Sequence, residues 1–288
     1  MRLGLSLGAN SVAADAAAVR DIAAAAEDVG FDRLVAADHV LGADPDRPGG
    51  WSGPYTHKDR WHEPLVLLAY VAAVTKSMEL MTGVIILPQR ATALVAKQAA
   101  ELDVLSQGRF ILGVGNGWNS VEYEALNRDF RNRGRRIEEQ VALLRAVWTE
   151  PVVTFQGRYE RVTQAGLNPL PTHRIPIWMG GHSEAVLDRI GRLADGWYPL
   201  VDDPSVVASG IERIRSAAER AGRDPSEIGI QARVVMNGKV REEVARVQAF
   251  VEAGATCVVA GTNPAIDTPA DQISAMREFV EAVQDVAG

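Results

Sequence analysis

Short apolar runs alternate with longer amphipathic segments along the whole chain. The runs are rich in Val, Ile and Leu, as buried strands are, and the segments between them carry apolar residues at helical spacing. Several segments begin with Ser, Asp or Pro and end before a Gly, which marks helix boundaries. The pattern predicts eight strands, at residues 2–7, 33–38, 78–87, 109–114, 175–180, 195–200, 228–236 and 256–261. It predicts helices at residues 15–29, 64–75, 92–106, 183–193, 205–221, 241–253 and 269–287.

This alternation predicts parallel strands, because parallel neighbours need a crossover connection that is usually a helix. Eight such units close into a (β/α)8 TIM barrel, and the chain length suits a single domain over residues 1–288. Residues 42–63 form a long polar loop rich in Gly and Pro, which indicates a lid. Residues 119–176, with two helices and a hairpin near 152–162, are interpreted as an insertion between strands four and five.

Composition narrows the class of protein. Hydrophobic residues make up 47% of the chain and charged residues 23%, as in a globular protein with a large core. The formal charge of -7 argues against a nucleic-acid partner, which calls for a basic surface. No stretch approaches the roughly 20 apolar residues of a membrane span. The pattern of the first residues predicts a strand and not a signal peptide. The single cysteine, Cys257, lies in an apolar run that is typical of a core thiol. We therefore expect a cytoplasmic protein.

Candidate site residues follow the predicted strands, because a TIM barrel carries its reactive groups at the carboxyl ends of the strands. Asp38 and His39 end strand two, and Gly83 and Val84 lie near the end of strand three. Glycine-rich turns follow strands four and five, and each leads into a helix whose first amide groups favour anions. The turn residues are Gly115, Asn116, Gly117 and Trp118 after strand four, and Gly180, Gly181, His182 and Ser183 after strand five.

The turn after strand four lacks the spacing of a dinucleotide site. A Rossmann fingerprint needs G-x-G-x-x-G, and Trp118 stands where its last glycine should be. The turn therefore favours a phosphate over a dinucleotide. The turn after strand five has a second interpretation as a tight connection that leads into a helix capped by Ser183.

Several of these residues have two interpretations. His39 either transfers a proton near neutral pH or is held by Asp38 as a support for the long loop. Arg90 either pairs with an acidic ligand group or is solvated. Arg109 precedes strand four, so it belongs to the opposite face of the barrel, where residues contribute to stability.

The loop at 42–63 also concentrates aromatic and histidine side chains. Trp51, Tyr55 and Trp61 either cover an apolar ligand or pack against the barrel rim or a partner chain. We predict no metal site, since the chain has no H-x-H on a strand, no H-E-x-x-H and no cysteine pair. The G-x-S-x-G pattern is also missing, which argues against serine hydrolysis.

Four stretches together resemble the luciferase-like superfamily of flavin and deazaflavin enzymes. They are GFDRLVAADHV, MTGVIILPQRATALVAKQAAELDVLSQGRFILGVGNGW, RGRRIEEQVALLRAVWTE and IPIWMGGHSEAVLDRIGRLADGW, and they cover nearly the whole chain. The similarity is greatest to the branch that uses coenzyme F420. The resemblance implies a TIM barrel with an insertion near its middle, a homodimer and a cofactor at the carboxyl-terminal mouth.

The resemblance also assigns roles to the candidate residues. It implies that both glycine-rich turns hold the phosphate side of the cofactor tail, and that Asp38 and His39 face the cofactor ring as catalytic residues. It implies that Gly83 and Val84 form a bulge that supports the ring, often through a cis peptide. Trp118 stands where some sugar-phosphate dehydrogenases of the family have an acid, which argues against that substrate and leaves His39 as the best candidate proton donor.

We therefore expect an oxidoreductase that moves a hydride between F420 and a small organic substrate, with the protein supplying position and charge. Arg60 and Arg90 lie on segments that could line the exit of the acidic cofactor tail. The first alternative is a monooxygenase that uses reduced FMN. The second is a non-catalytic flavin-binding protein, because fold alone does not separate these functions.

Overall fold

Parallel strands close into a barrel in the computed structural model, which describes residues 1–8, 10, 15–262, 266 and 268–287. The strands are β1 (Arg2–Leu7), β2 (Arg33–Ala36), β3 (Glu79–Thr82), β4 (Ile85–Ile86), β5 (Phe110–Gly115), β6 (Val153–Gln156), β7 (Arg161–Ala165), β8 (Ile177–Gly180), β9 (Gly196–Tyr198), β10 (Gly229–Met236) and β11 (Cys257–Thr262). Neighbouring strands are hydrogen-bonded in the order β3-β2-β1-β11-β10-β9-β8-β5-β4, and a further pairing of β3 with β5 closes the ring. The hairpin β6–β7 lies apart as an antiparallel pair.

Helices follow the barrel strands and cover the outside of the barrel. Their apolar faces bury against the strands, as in the α1 helix, whose Ala23 and Ala26 are fully buried. Asp15 caps α1 by accepting hydrogen bonds from the first-turn amides. The helices are α1 (Ala16–Val29), α2 (Pro64–Val74), α3 (Thr92–Ser106), α4 (Ser120–Ala125), α5 (Arg133–Thr149), α6 (Glu184–Leu193), α7 (Pro204–Arg220), α8 (Val240–Glu252) and α9 (Pro269–Ala287).

The predicted TIM barrel is confirmed, with two differences in detail. The run at 78–87 forms two strands, β3 and β4, which are separated by Gly83 and Val84. The insertion lies where it was predicted, but its longer helix α5 contacts both α3 and α6. That helix is therefore the barrel helix of the fourth unit, and only α4 and the hairpin are additions to the barrel.

The barrel interior forms its own small core. Its residues point inward from the strands and are Val35, Met81, Ile111, Trp178, Tyr198, Cys257 and Val259, with Val84 packed against them. Cys257 is 2% exposed, and burial raises the pKa of its thiol to about 11. The prediction of a core thiol is confirmed, and this thiol has little nucleophilic thiolate at neutral pH.

Arg109 braces the amino-terminal side of the barrel. Its guanidinium donates hydrogen bonds to the carbonyls of Ala72, Thr75 and Met78, at 3.0, 3.2 and 2.8 Å. These bonds satisfy carbonyl groups at and just beyond the end of α2, which lack partners within the helix. The predicted stabilising position of Arg109 is confirmed. Among the described residues, no helix has the length and apolar character to cross a membrane.

Candidate active site

The predicted site residues meet at one end of the barrel because the strands are parallel and in register. Ala36 of β2 pairs with Thr82 of β3, and Ile86 of β4 pairs with Gly115 of β5. Val114 of β5 pairs with Met179 of β8, so Gly115 and Gly180 end neighbouring strands. The segments after β2, β3, β5 and β8 therefore surround the same mouth.

Asp38 forms the base of this mouth. It is 4% exposed, and its Oδ1 lies 2.7 Å from Nη2 of Arg90, while Oδ2 accepts a hydrogen bond from the Ile86 amide at 3.1 Å. The other terminal nitrogen of Arg90 donates to Glu63 at 2.8 Å. Burial raises the pKa of Asp38, and the adjacent guanidinium opposes that shift. Both Asp38 oxygens are thus engaged: one joins the segment after β2 to β4, and the other pairs with Arg90 beyond β4.

His39 lies at the centre of a hydrogen-bonded cluster. Its Nδ1 is 2.6 Å from the Tyr55 hydroxyl and 3.3 Å from Oε1 of Glu122. The Tyr55 oxygen accepts a hydrogen bond from Asn119 Nδ2 at 2.7 Å, so the tyrosine hydrogen is available to Nδ1 or to the carboxylate. The cluster therefore holds the imidazole by Nδ1 and offers that nitrogen both a hydroxyl group and a carboxylate.

Glu122 anchors the cluster from below. The side chain is 1% exposed, and Oε1 accepts hydrogen bonds from the amides of Val40 and Leu41, at 2.7 and 3.3 Å. Gln89 donates to Oε2 at 3.4 Å. Burial acts to raise the pKa of Glu122, but the hydrogen bonds from His39 and the two amides outweigh it and lower that pKa. A carboxylate thus lies beside His39 throughout the neutral range.

Sequence reasoning missed Glu122 and Asn119. Asn119, Ser120, Val121 and Glu122 match the capping-box pattern, in which the acid at the third helical position reaches back to the cap. Asn119 does cap α4, accepting from the Val121 amide at 3.0 Å. Glu122 instead turns across to the segment after β2. The signal that could have revealed Glu122 is its position in the first turn of the short helix that follows strand four, which puts its carboxyl group near the carboxyl ends of the strands.

Aromatic side chains surround His39 on the open side. The rings of Tyr55, Trp61 and Trp118 lie with centroids 4.1, 4.5 and 6.2 Å from that of His39. Trp51 stacks on Trp118, with centroids 5.7 Å apart and planes 26° apart. These aromatic side chains therefore lie at the barrel mouth, where they pack against the rim around His39.

The loop at 42–63 is held by its own contacts. The His57 amide donates to the Ala43 carbonyl at 3.1 Å, which joins the two sides of the loop near its base. Trp51 Nε1 donates to the Tyr55 carbonyl at 2.6 Å, and Tyr55 is 4% exposed. The loop thus fixes Trp51 and Tyr55 relative to the mouth.

Gly83 and Val84 connect β3 to β4, and Val84 packs against the core inside the barrel. The Val84 side chain packs on Gly115 and Gly180, where an added Cβ would come within 2.7 and 3.2 Å of it. Those two glycines are therefore required by the packing of the barrel wall. The cis peptide that the resemblance implied at Gly83–Val84 is present.

The two glycine-rich turns lie side by side. Gly181 has a φ of +113°, and its carbonyl accepts a hydrogen bond from Trp197 Nε1 at 2.7 Å. Ser183 precedes α6, whose first amides face outward from the helix end as potential anion donors. His182 and Ser183 are exposed. The short helix α4 offers no comparable end, because Asn119 already caps it.

Unsatisfied polar atoms at the mouth fit a polar ring system. Among the described residues, Asn116 Oδ1 and Trp61 Nε1 are buried without a hydrogen-bond partner, one an acceptor and the other a donor. Buried polar groups of this kind normally bind water or a ligand. Together with the Val84 surface and the amides of α6, they suit a flat heterocycle with a phosphate-bearing tail.

The chain matches the model of the luciferase-like monooxygenase family over residues 1–282. It is 32% identical to the F420-dependent glucose-6-phosphate dehydrogenase of Nakamurella multipartita over 215 residues, 72% of this chain and 60% of that protein. It is 29% identical to the FMNH2-dependent dimethylsulfone monooxygenase of Pseudomonas fluorescens over 177 residues, 60% of this chain and 48% of that protein. The chain thus spans about half to three fifths of the length of these two curated relatives.

A solved structure shares the whole architecture. The F420-dependent secondary alcohol dehydrogenase in complex with an F420-acetone adduct superposes with a TM-score of 0.82 over 98% of each chain, at 18% identity. At that identity the likeness concerns the fold. The match of the family model over nearly the full length, on a barrel of the same architecture, shows that this chain belongs to the luciferase-like monooxygenase family.

Proposed function

We propose that the protein is an oxidoreductase that transfers a hydride between coenzyme F420 and a small organic substrate. The observation that carries the proposal is His39, held at the barrel mouth by Tyr55 and Glu122 beside the position expected for the cofactor ring. The relatives named above make both F420 and FMN candidates. When bound, the deazaflavin would accept or supply the hydride.

His39 would handle the proton that accompanies hydride transfer. Oxidation of an alcohol carbon releases a hydride and the hydroxyl proton together, and reduction of a carbonyl requires both. An imidazole is suited to exchange that proton near neutral pH. Tyr55 and Glu122 keep the ring fixed by Nδ1, which leaves Nε2 as the nitrogen for the substrate oxygen. The nearby carboxylate stabilises the imidazolium that forms when His39 takes up the proton.

The cofactor would be held by two groups of residues. Asp38, His39, Gly83 and Val84 would form the ring site, with Asp38 acting through the fixed ends of β2 and β4 because its oxygens are already bonded. The turn at 180–183, which leads into the first amides of α6, would hold the phosphate side of the tail, and the turn at 115–118 would lie beside the tail without using the end of α4. Arg90 is paired with Asp38 and Glu63 and is a poor partner for an acidic tail. Arg60 lies exposed on the loop.

The alternative is a monooxygenase that uses reduced FMN, favoured by the Pseudomonas fluorescens relative. Binding titrations of the purified protein with F420 and with FMN separate the two cofactors. We expect tighter F420 binding at low ionic strength, with a gap that narrows as salt rises, because contacts to the acidic tail are screened. Preference for FMN with oxygen-dependent product would support the monooxygenase. Tight binding of either cofactor without turnover would support the hypothesis of a non-catalytic flavin-binding protein.

We also propose that the protein forms a homodimer through α2 and α3. An apolar groove runs between these helices, and Val66 and Leu105 beside it are 70% and 55% exposed. Lys97 and Glu101 flank the groove, and their charged groups are 3.5 Å apart. In a dimer with two-fold symmetry, Lys97 of each subunit can therefore lie opposite the glutamate of the other subunit. Sedimentation velocity should show a dimer that Leu105→Glu dissociates and Val152→Glu, an exposed control on the hairpin, leaves intact. A monomer for the unmodified protein would overturn the proposal.

A further inference from the structure

The aromatic wall is the set of rings beside His39, namely Tyr55, Trp61 and Trp118, together with Trp51, which stacks on Trp118. Trp118 is 47% exposed although it stacks on Trp51 and lies edge-on to Tyr55. A large indole left open to solvent beside a reactive group marks a surface that gains from being covered by an apolar ligand. The wall therefore presents one broad ring face at the mouth.

The stack depends on a small residue in the loop. A Cβ at Gly53 would lie 2.2 Å from the Trp51 ring and 2.9 Å from the Trp118 ring. A real Cβ does not approach other atoms that closely, so any side chain at this position would push the rings apart. The loop backbone thus packs directly against both indoles and fixes the position of the wall.

The charges that border the wall are unfavourable for anionic ligands. His39 contacts the Glu122 carboxylate, and the Asp38 carboxylate lies at the base of the mouth. Arg90, the cation beside Asp38, already has both terminal nitrogens bonded to carboxylates. A phosphate or carboxylate placed between His39 and Trp118 would therefore lie near two buried carboxylates, and the terminal nitrogens of Arg90 would not be available to it.

We propose that the substrate is an uncharged alcohol or carbonyl compound with a flat apolar body. Its oxygen binds to His39, and its body stacks on the Trp51–Trp118 face of the wall. The redox step rests on the proposed function: the carbinol carbon gives up a hydride to the oxidised cofactor and its hydroxyl gives a proton to His39. In the reverse direction the reduced cofactor returns the hydride to the carbonyl carbon, and protonated His39 returns the proton to the carbonyl oxygen. The binding preference itself does not depend on which cofactor is used.

The test measures binding by calorimetry with acetophenone, benzoate and glucose 6-phosphate. Acetophenone and benzoate have the same ring and differ in charge, so the pair isolates the electrostatic part of the preference. Each titration is run on the protein alone, with saturating oxidised FMN and with oxidised F420, which keeps binding separate from turnover. We expect acetophenone to bind at least tenfold more tightly than either anion.

Variants locate the binding site. Trp118→Ala should weaken acetophenone binding about tenfold, Trp118→Phe should retain most of the affinity because it keeps a ring, and Val152→Ala should change nothing. Equal or tighter binding of benzoate or glucose 6-phosphate, undiminished binding in Trp118→Ala, or no acetophenone binding in any preparation would overturn the proposal. Acetophenone binding without turnover by either cofactor would instead count against the proposed function alone.

Discussion

Replacement of Glu122 by Gln tests whether the buried carboxylate acts through His39. The amide oxygen of Gln can still accept from the Val40 and Leu41 amides, which now bond to Glu122 at 2.7 and 3.3 Å. Hydrogen bonds to charged groups contribute about 1.5–3 kcal/mol and neutral ones about 0.5–1.5 kcal/mol. Since only the Val40 bond is short, we expect Glu122→Gln to lower the free energy of unfolding by about 1–2 kcal/mol, and Glu122→Ala, which leaves donors unpaired, by about 2–4 kcal/mol.

The stability loss should depend on pH in a defined direction. The pKa of Glu122 is lowered in the folded protein, so its charge stabilises the fold above about pH 4.3, the ordinary value for Glu, and this contribution disappears as pH falls through the folded pKa. Urea unfolding of the wild type and of Glu122→Gln should therefore differ most near pH 7 and converge in acid. If the two proteins differ in free energy of unfolding by the same amount at pH 7 and at pH 3, the negative charge of Glu122 does not stabilise the fold.

The catalytic effect should require His39. We expect Glu122→Gln to lower kcat roughly tenfold, less than the 10²–10⁴ that a positioned acid or base typically contributes. In a His39→Ala background the same change should have almost no further effect, because the two residues act as one unit. If Glu122→Gln lowers kcat equally in both backgrounds, the carboxylate does not act through His39.

Three further predictions concern other parts of the molecule. His39→Ala should lower kcat at least roughly 100-fold without loss of folding. His57 is an exposed histidine of the loop, so His57→Ala should leave turnover unchanged. Normal turnover in His39→Ala would assign His39 a structural role. Gly181→Val should weaken cofactor binding in fluorescence titrations, and Gly222→Ala, which also has positive φ but lies away from the site, serves as the control for backbone strain alone. Burial acts to raise the pKa of Glu27, but hydrogen bonds from the amides before β3 lower it to about 2. The Glu27 carboxylate should therefore stabilise the fold by about 1 kcal/mol at pH 6, and this contribution should be lost toward pH 2. Denaturation of Glu27→Gln at both pH values measures it, and an equal deficit at both would contradict it.

The sequence predicts the barrel because its strongest signals are local. Alternation of strand and helix, helix caps and glycine turns act within a few residues, and parallel register then brings Asp38, Gly83 and Gly115 to one end without further information. The break between β3 and β4 could not be predicted, because a run of mostly apolar residues from 78 to 87 has the pattern of a single strand.

Contacts across the chain were beyond the reach of pattern reasoning. Glu122 is 83 residues from His39, and its capping-box spacing favours a purely local role. The Arg90–Asp38 pair joins residues 52 apart, so Arg90 could not be distinguished from a solvated cation. The direction of a side chain at a helix start depends on which loop packs above it, and that is a tertiary property.

The hydrogen bond between His57 and Ala43, near the base of the 42–63 loop, has a consequence for engineering. The segment between these residues carries Trp51 and Tyr55, while His39 and Glu122 belong to the barrel. Residues 44–56 are thus a natural unit for grafting: an exchanged segment would bring a new ring surface to an unchanged proton-transfer group. Two positions are exceptions. The Tyr55 hydroxyl lies 2.6 Å from Nδ1 of His39, and a Cβ at Gly53 would come within 2.9 Å of the Trp118 ring, which lies outside the segment. A functional graft must therefore keep a tyrosine at position 55 and a glycine at position 53, and libraries built on this protein can vary the remaining positions of the segment.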